Sequence, residues 1–224
     1  MASLVIACLS QKGGVGKSTI SQLVARTYAN AGWQVKIADF NVKQKTSVDW
    51  VTIRMNSGWK PHIAGEPFDK ISTALKADCD LLVIDGRPDT DTTVREIAPA
   101  ATAIIIPTGV SAADLKPQLM FGNELLARGI PRERLLFVIN RSNDSQIALK
   151  EAQSYIQISG FRFANTDLPD KVGYQNAMNI GRAVSETFHS SLTERAEALA
   201  SEIVAFITEI TSNERQTSSS ATTA

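Results

Sequence analysis

Ser10-Gln11-Lys12-Gly13-Gly14-Val15-Gly16-Lys17-Ser18-Thr19 follows an apolar run, Leu4 to Leu9, and opens a segment with helical periodicity. A strand, a glycine-rich turn and a helix in that order form the setting of a phosphate-binding loop. Gly13, Gly14 and Gly16 let the backbone turn tightly and aim its N–H groups inward. The helix that follows adds the positive end of its dipole. Lys17 is spaced to reach the β- and γ-phosphates of a nucleotide, and Ser18 to hold Mg²⁺ through its hydroxyl.

Outward from this loop, strand-like apolar runs alternate with helix-like segments. That is the pattern of an α/β fold, a mostly parallel twisted sheet flanked by helices. Strands are expected over residues 4–9, 35–38, 81–84, 101–106 and 135–139, with a short one near 161–164. Helices are expected over 17–30, 47–54, from about 67 past Leu75, from Ser111 to Arg128, over 145–158 and from Ser191 onward. Ser111 with Asp114, and Ser191 with Glu194, read as N-terminal caps. Leu192, Ala196, Leu199, Ile203, Phe206 and Ile210 form an apolar stripe suited to covering the sheet, with a seam between copies as the alternative. The reading is a single domain over 1–211 and a polar, disordered tail over 212–224.

The chain has 224 residues, with 23 Lys and Arg against 23 Asp and Glu, so its net charge is zero. A general affinity for polyanions is excluded, and only a local basic patch fits. The two cysteines, Cys8 and Cys79, lie in or beside apolar runs and read as reduced core residues of a cytoplasmic protein. No CxxC pair suggests a zinc or iron–sulfur site. The N-terminal apolar run is too short for a signal peptide. No stretch approaches the roughly 20 apolar residues of a membrane span, and no membrane partner is expected.

Ligands in open α/β sheets bind beyond the carboxyl ends of strands. Asp39, Asp85 and Asn140 end three of the expected strands there. Asp85 suits a carboxylate that holds Mg²⁺. Lys12, a second lysine ahead of the first glycine, is not required by a plain phosphate loop. Lys12 to Thr19 resembles the deviant Walker A motif of the ParA/MinD family. The resemblance runs from Leu4 to about Thr211 and is most specific at Lys12 to Thr19, Asp39 and Asp85.

What the resemblance implies is a P-loop NTPase with ATP and Mg²⁺ as ligands, slow ATP hydrolysis, and a sandwich homodimer in which Lys12 reaches the partner's ATP. It gives catalytic places to Lys12, Lys17, Asp39 and Asn41, and the metal to Ser18, Asp39 and Asp85. The whole loop, Lys12, Gly13, Gly14, Val15, Gly16, Lys17, Ser18 and Thr19, would hold the nucleotide. The family's second strand ends in Asp-x-Asp, but here the stretch is Asp39-Phe40-Asn41. An amide orients water but cannot take its proton. Asn140, with Arg141 beside it, falls in the segment that reads the adenine edge. Leu168, Pro169 and Asp170 resemble the loop on the other side of the base.

In length the chain is similar to small ParA-type partition ATPases that lack an N-terminal helix-turn-helix domain. This implies nonspecific DNA as a partner of the ATP form, a ParB-like or equivalent adaptor protein, and a nucleoid-associated place in the cytoplasm. DNA contacts are expected from Lys171, Arg182 and Arg162, in or near a stretch resembling the family's Tyr-x-x-Ala–Gly segment, here Tyr174 to Ala177 and Gly181. Lys43, Lys45, Arg54 and Lys60 form a second, loosely basic region. One alternative is a ligase- or reductase-like enzyme on the same fold, although the cysteine pattern of a reductase is missing. Another is a MinD-like membrane-positioning ATPase. That needs a basic amphipathic end, whereas the last helix carries Glu194, Glu197, Glu202 and Glu209 against Arg195.

Overall fold

β1 (Leu4–Cys8) is buried along its whole length and occupies the middle of the sheet, as five consecutive apolar residues allow. In the computed structural model, which describes residues 2–87, 92–143 and 145–221, it pairs in parallel with β4 (Leu81–Asp85) on one side and β5 (Ala103–Thr108) on the other. The sheet continues outward from β4 through β2 (Val35–Asp39) to β3 (Ala64–Pro67), and from β5 through β6 (Leu135–Ser142) to β7 (Arg162–Phe163). β8 (Leu168–Pro169) pairs with the far end of β6. All pairings among the described strands are parallel, so helices return the chain across both faces.

Alternate residues of β1, with Leu9 just after it, feed two cores. Leu4, Ile6 and Cys8 join Ile20, Leu23 and Val24 of α1 (Lys17–Asn30) and the stripe Leu199, Ile203, Phe206 and Ile210 of α8 (Ser190–Ala221). Val5, Ala7 and Leu9 join Cys79, Ile97 of α4 (Thr92–Ala100), Phe121 and Leu125 of α5 (Ala112–Ala127) and Ile156 of α6 (Gln146–Ile158). The α8 stripe therefore covers the sheet within one chain. Its acids are used there too. Glu209 takes a bidentate pair from Arg162 at 2.8 Å, and Glu202 accepts from the N–H groups of Asn165 and Thr166.

Several boundaries differ from expectation. The helix expected from about residue 67 is instead the edge strand β3 followed by a short α3 (Ile71–Ala74). Gly65 and Pro67 hide the strand pattern, but a Cβ on Gly65 would come within 2.9 Å of Val51, and Pro67 costs little at an edge. Two helices went unforeseen: α4 and α7 (Val172–Asn179). α8 runs on to Ala221 where a tail was expected from 212, because residues 212–221 hold no glycine or proline to stop it. Among the described side chains, Ile210 is the last residue of α8 in the core. Among the described residues no helix is long and apolar enough to cross a membrane.

Candidate functional site

The carboxyl ends of β1, β4 and β6 open onto a cavity of about 600 Å³ whose floor is the loop Gly13–Thr19. Gly14 and Gly16 hold left-handed conformations, φ 78° and 95°. A Cβ on Gly16 would fall 1.8 Å from the amide nitrogen of Asn140. That amide donates to Val15 O at 2.8 Å, and Arg141 Nη1 donates to Gly14 O at 3.0 Å. Two loop carbonyls are thus held from outside. Among the described residues no hydrogen bond takes up the N–H groups of Gly13 to Gly16, which leaves a set of donors for an anion. Behind the loop, Gln118 of α5, which carried no sequence signal, donates to Ser10 Oγ at 2.5 Å, and Ser10 Oγ donates to Lys12 O at 3.0 Å.

The two loop lysines occupy different places. Lys17 is buried, lines the cavity and donates to Lys12 O at 3.2 Å. Burial lowers its pKa, against the opposing charge of Asp85. Lys12 turns away. Its Nζ donates to Ala113 O at 3.1 Å and pairs with Asp114 on the first turn of α5. The expected cap is also present: Ser111 accepts from the Asp114 N–H at 3.2 Å.

Asp85 lines the cavity, is buried, and meets Ser18 and Ser47. The Ser47 hydroxyl donates to its Oδ2 at 2.6 Å. Burial pushes the Asp85 carboxyl up to about 6, against those two serine hydrogen bonds. Asp39 is the other strand-end acid. It lies beneath the cavity rather than in its lining, fully buried. Its Oδ1 accepts from Asn41 N at 2.9 Å, and its Oδ2 from the N–H groups of Ser47 at 2.9 Å and Val48 at 3.3 Å. Both oxygens thus accept from the first turn of α2 (Thr46–Asn56) or the loop before it, filling three of the carboxylate's roughly four acceptor sites, because the free N–H groups at a helix start draw a nearby carboxylate. Asn41 does line the cavity, beside Gln44, and donates to Gln44 Oε1 at 2.7 Å.

An oxygen donor set of a serine hydroxyl and a carboxylate suits a hard cation such as Mg²⁺. Among the described residues no three His, Cys, Asp or Glu side chains cluster as a metal site, so an ion here would share its coordination with phosphate oxygens. Ser18 and Asp85 would hold it.

On the far wall, Leu168, Pro169 and Asp170 line the cavity as the sequence suggests. Asn140 and Arg141 also line it, yet both act on the loop itself. Asn140 sits inside β6 rather than after it, and Arg141, at φ 57°, also pairs with Asp170 at 3.3 Å. Tyr174 and Met178, four residues apart on the unforeseen α7, complete that wall.

The cations nominated for DNA are differently placed. Lys171 lines the same cavity, at the start of α7. Arg162 is paired with Glu209, whose hydrogen bond raises its pKa. Arg182 stacks between Trp59 at 4.2 Å and Phe188 at 4.5 Å. Arg54, of the second basic region, is buried and spends all five of its N–H groups on Pro61 O, Gly181 O, Lys60 O and the two Glu186 oxygens.

Comparison with known proteins agrees with this geometry. MinD, the septum site-determining protein of Pyrococcus horikoshii OT3 complexed with Mg-ADP, matches at TM-score 0.69 and 16% identity, over 89% of this chain and 95% of that one. A plasmid partition protein from Borrelia burgdorferi matches at TM-score 0.65 and 16% identity, over 91% and 99%. Apo McdA from Cyanothece matches at TM-score 0.68 and 16% identity, over 89% and 99%. No curated protein sequence matches the chain. The family described as the CobQ/CobB/MinD/ParA nucleotide binding domain matches residues 6–208. With its phosphate loop, sheet order and cavity in that arrangement, the chain belongs to the CobQ/CobB/MinD/ParA nucleotide-binding family.

Proposed function

We propose that the chain is a ParA-like ATPase that dimerises around MgATP, holds nonspecific DNA in that state, and positions a cargo through an adaptor protein. The observation that carries this is the division of labour between the lysines. Lys17 belongs to the loop's own phosphate cradle, while Lys12 points to the rim and rests on Asp114. A cation outside the loop's own cradle supports the reading that Lys12 serves a nucleotide in a second copy.

Phosphoryl transfer asks the protein mainly for position and charge. The loop N–H groups and Lys17 hold the β- and γ-phosphates. Ser18 and Asp85 would hold Mg²⁺, which when bound would neutralise phosphate charge. Asn41 orients the attacking water without taking its proton, which fits slow turnover. Asp39 contributes by fixing the Asn41 backbone and the start of α2. Lys12, released from Asp114, adds its charge to the partner's phosphates.

Light scattering with ATP, alongside nucleotide binding and hydrolysis, tests the reading. The wild-type chain should dimerise with ATP and not with ADP. Lys12→Ala should bind nucleotide yet stay monomeric and lose hydrolysis, whereas Lys17→Ala should lose binding itself. Wild-type turnover in Lys12→Ala would overturn the assignment.

A further inference from the structure

Ser47 carries no signal in the sequence, yet it sits between the two carboxylates of the site. It lies in the first turn of α2, and its side chain is fully buried. Asp39 and Asp85 face each other in register on neighbouring strands. Two buried carboxylates so placed repel each other unless donors separate them. Ser47 supplies both donors. Its N–H goes to Asp39 Oδ2 at 2.9 Å, and its hydroxyl to Asp85 Oδ2 at 2.6 Å. A hydroxyl has one proton to give, and here it is committed to Asp85.

The chain of contacts is therefore directional. Asp39 grips the N–H groups of Ser47 and Val48, that grip sets the first turn of α2, and the turn aims Ser47 Oγ at Asp85. Oδ2 of Asp85 is held from behind while the residue faces Ser18 and the cavity. We infer that Ser47 is a positioning residue for the divalent-cation site, fixing Asp85 toward the ion, and that Asp39 acts through Ser47 rather than on the ion. The inference rests on the MgATP reading above. Partners that orient a metal ligand in this way typically govern metal affinity by about 10- to 100-fold.

The test is a titration of Mg²⁺ against binding of a fluorescent ATP analogue, in wild type, Ser47→Ala, Asp39→Asn and the double variant. Ser47→Ala should raise the Mg²⁺ concentration for half-maximal tight binding by about 10-fold. Its affinity for the Mg²⁺-free nucleotide should stay near wild type, a split that a loss of packing alone would not produce. Ser47→Thr keeps the hydroxyl and should restore most of the Mg²⁺ response. Asp39→Asn should weaken the response in the same direction, and the double variant should be no worse than Ser47→Ala, since both act through one hydroxyl. An unchanged Mg²⁺ response in folded Ser47→Ala would overturn the inference. So would a full additional loss from Asp39→Asn on top of Ser47→Ala, because Asp39 would then act on the ion independently. A wild-type chain that binds nucleotide without regard to Mg²⁺ would overturn the functional reading, and this inference with it.

Discussion

A buried lysine and a buried aspartate line the cavity, and burial works against the charge of each. The Asp85 carboxyl, pushed from 3.8 to about 6 chiefly by burial, keeps a proton in the folded chain at pH values where the unfolded chain has lost it. Stability therefore falls as pH rises through that window. Above it, the nucleotide-free protein carries an ionised carboxylate out of water. Asp85→Asn removes that charge and should stabilise the nucleotide-free protein at pH 8, by up to about 3 kcal/mol on a shift of this size. The gain should shrink as pH falls toward about 4, where the wild-type carboxyl is already neutral in the fold. Thermal melts across that range check it, and a lower melting temperature for the variant at pH 8 would contradict it. The same substitution should cost the Mg²⁺ response.

At the scale of elements, α2 is the piece fastened at both ends. Its first turn is held by Asp39, and its last by Arg54, whose guanidinium is satisfied on every N–H. Trp50 Nε1 donates to Arg182 O at 3.0 Å and Trp59 Nε1 to Ile180 O at 2.9 Å, on either side of Gly181. At φ 78°, Gly181 lets that segment lie against the helix backbone. A Cβ there would meet Arg54 N at 2.5 Å. Arg54→Met should therefore destabilise the fold by about 3–5 kcal/mol, since Glu186 loses its main buried partner. In a chain of this length that lowers the melting temperature by roughly 10 °C. A shift of a degree or two would mean that the buried pair is nearly neutral.

The loop, the central strands and most helices were legible because their signals are local: Gly-Lys-Ser spacing, apolar runs, Ser and Asp at helix starts. Asp39 and Asp85 were legible as strand ends, but not the division of work between them. Which carboxylate faces the cavity depends on how the first turn of α2, whose start the sequence does place, sits against the two strand ends, and that packing is not a local signal. Ser47, Gln118 and Arg54 stayed hidden for the same reason. Each is an ordinary polar residue on a helix until its partner, dozens of residues away, arrives. β3 and α7 are short and weakly patterned, and the neighbours they pack on define them.

For the whole molecule, zero net charge means that any hold on DNA must come from a local patch assembled by the fold, which the proposed dimer would double. Arg182, stacked between Trp59 and Phe188 with no carboxylate paired to it among the described residues, is the best placed of the cations nominated for it. Binding to random-sequence DNA should occur with ATP and Mg²⁺ and not with ADP. Arg182→Ala should weaken it and flatten the log–log salt slope by about 1–2 phosphate contacts per dimer. Equal binding in every nucleotide state would argue against a switch.

The two thiols lie in separate cores, Cys8 on the α1–α8 face of the sheet and Cys79 on the α4–α6 face. Burial holds both above the ordinary thiol range, Cys8 at about 12. A maleimide or disulfide reagent should thus be refused by the native chain and accepted at both sites once it opens. The protein carries its own pair of stopwatches, one on each side of the sheet. Their labelling rates, resolved by peptide mass, would time the opening of each face separately, and a nucleotide that clamps one face more than the other would slow one of them alone.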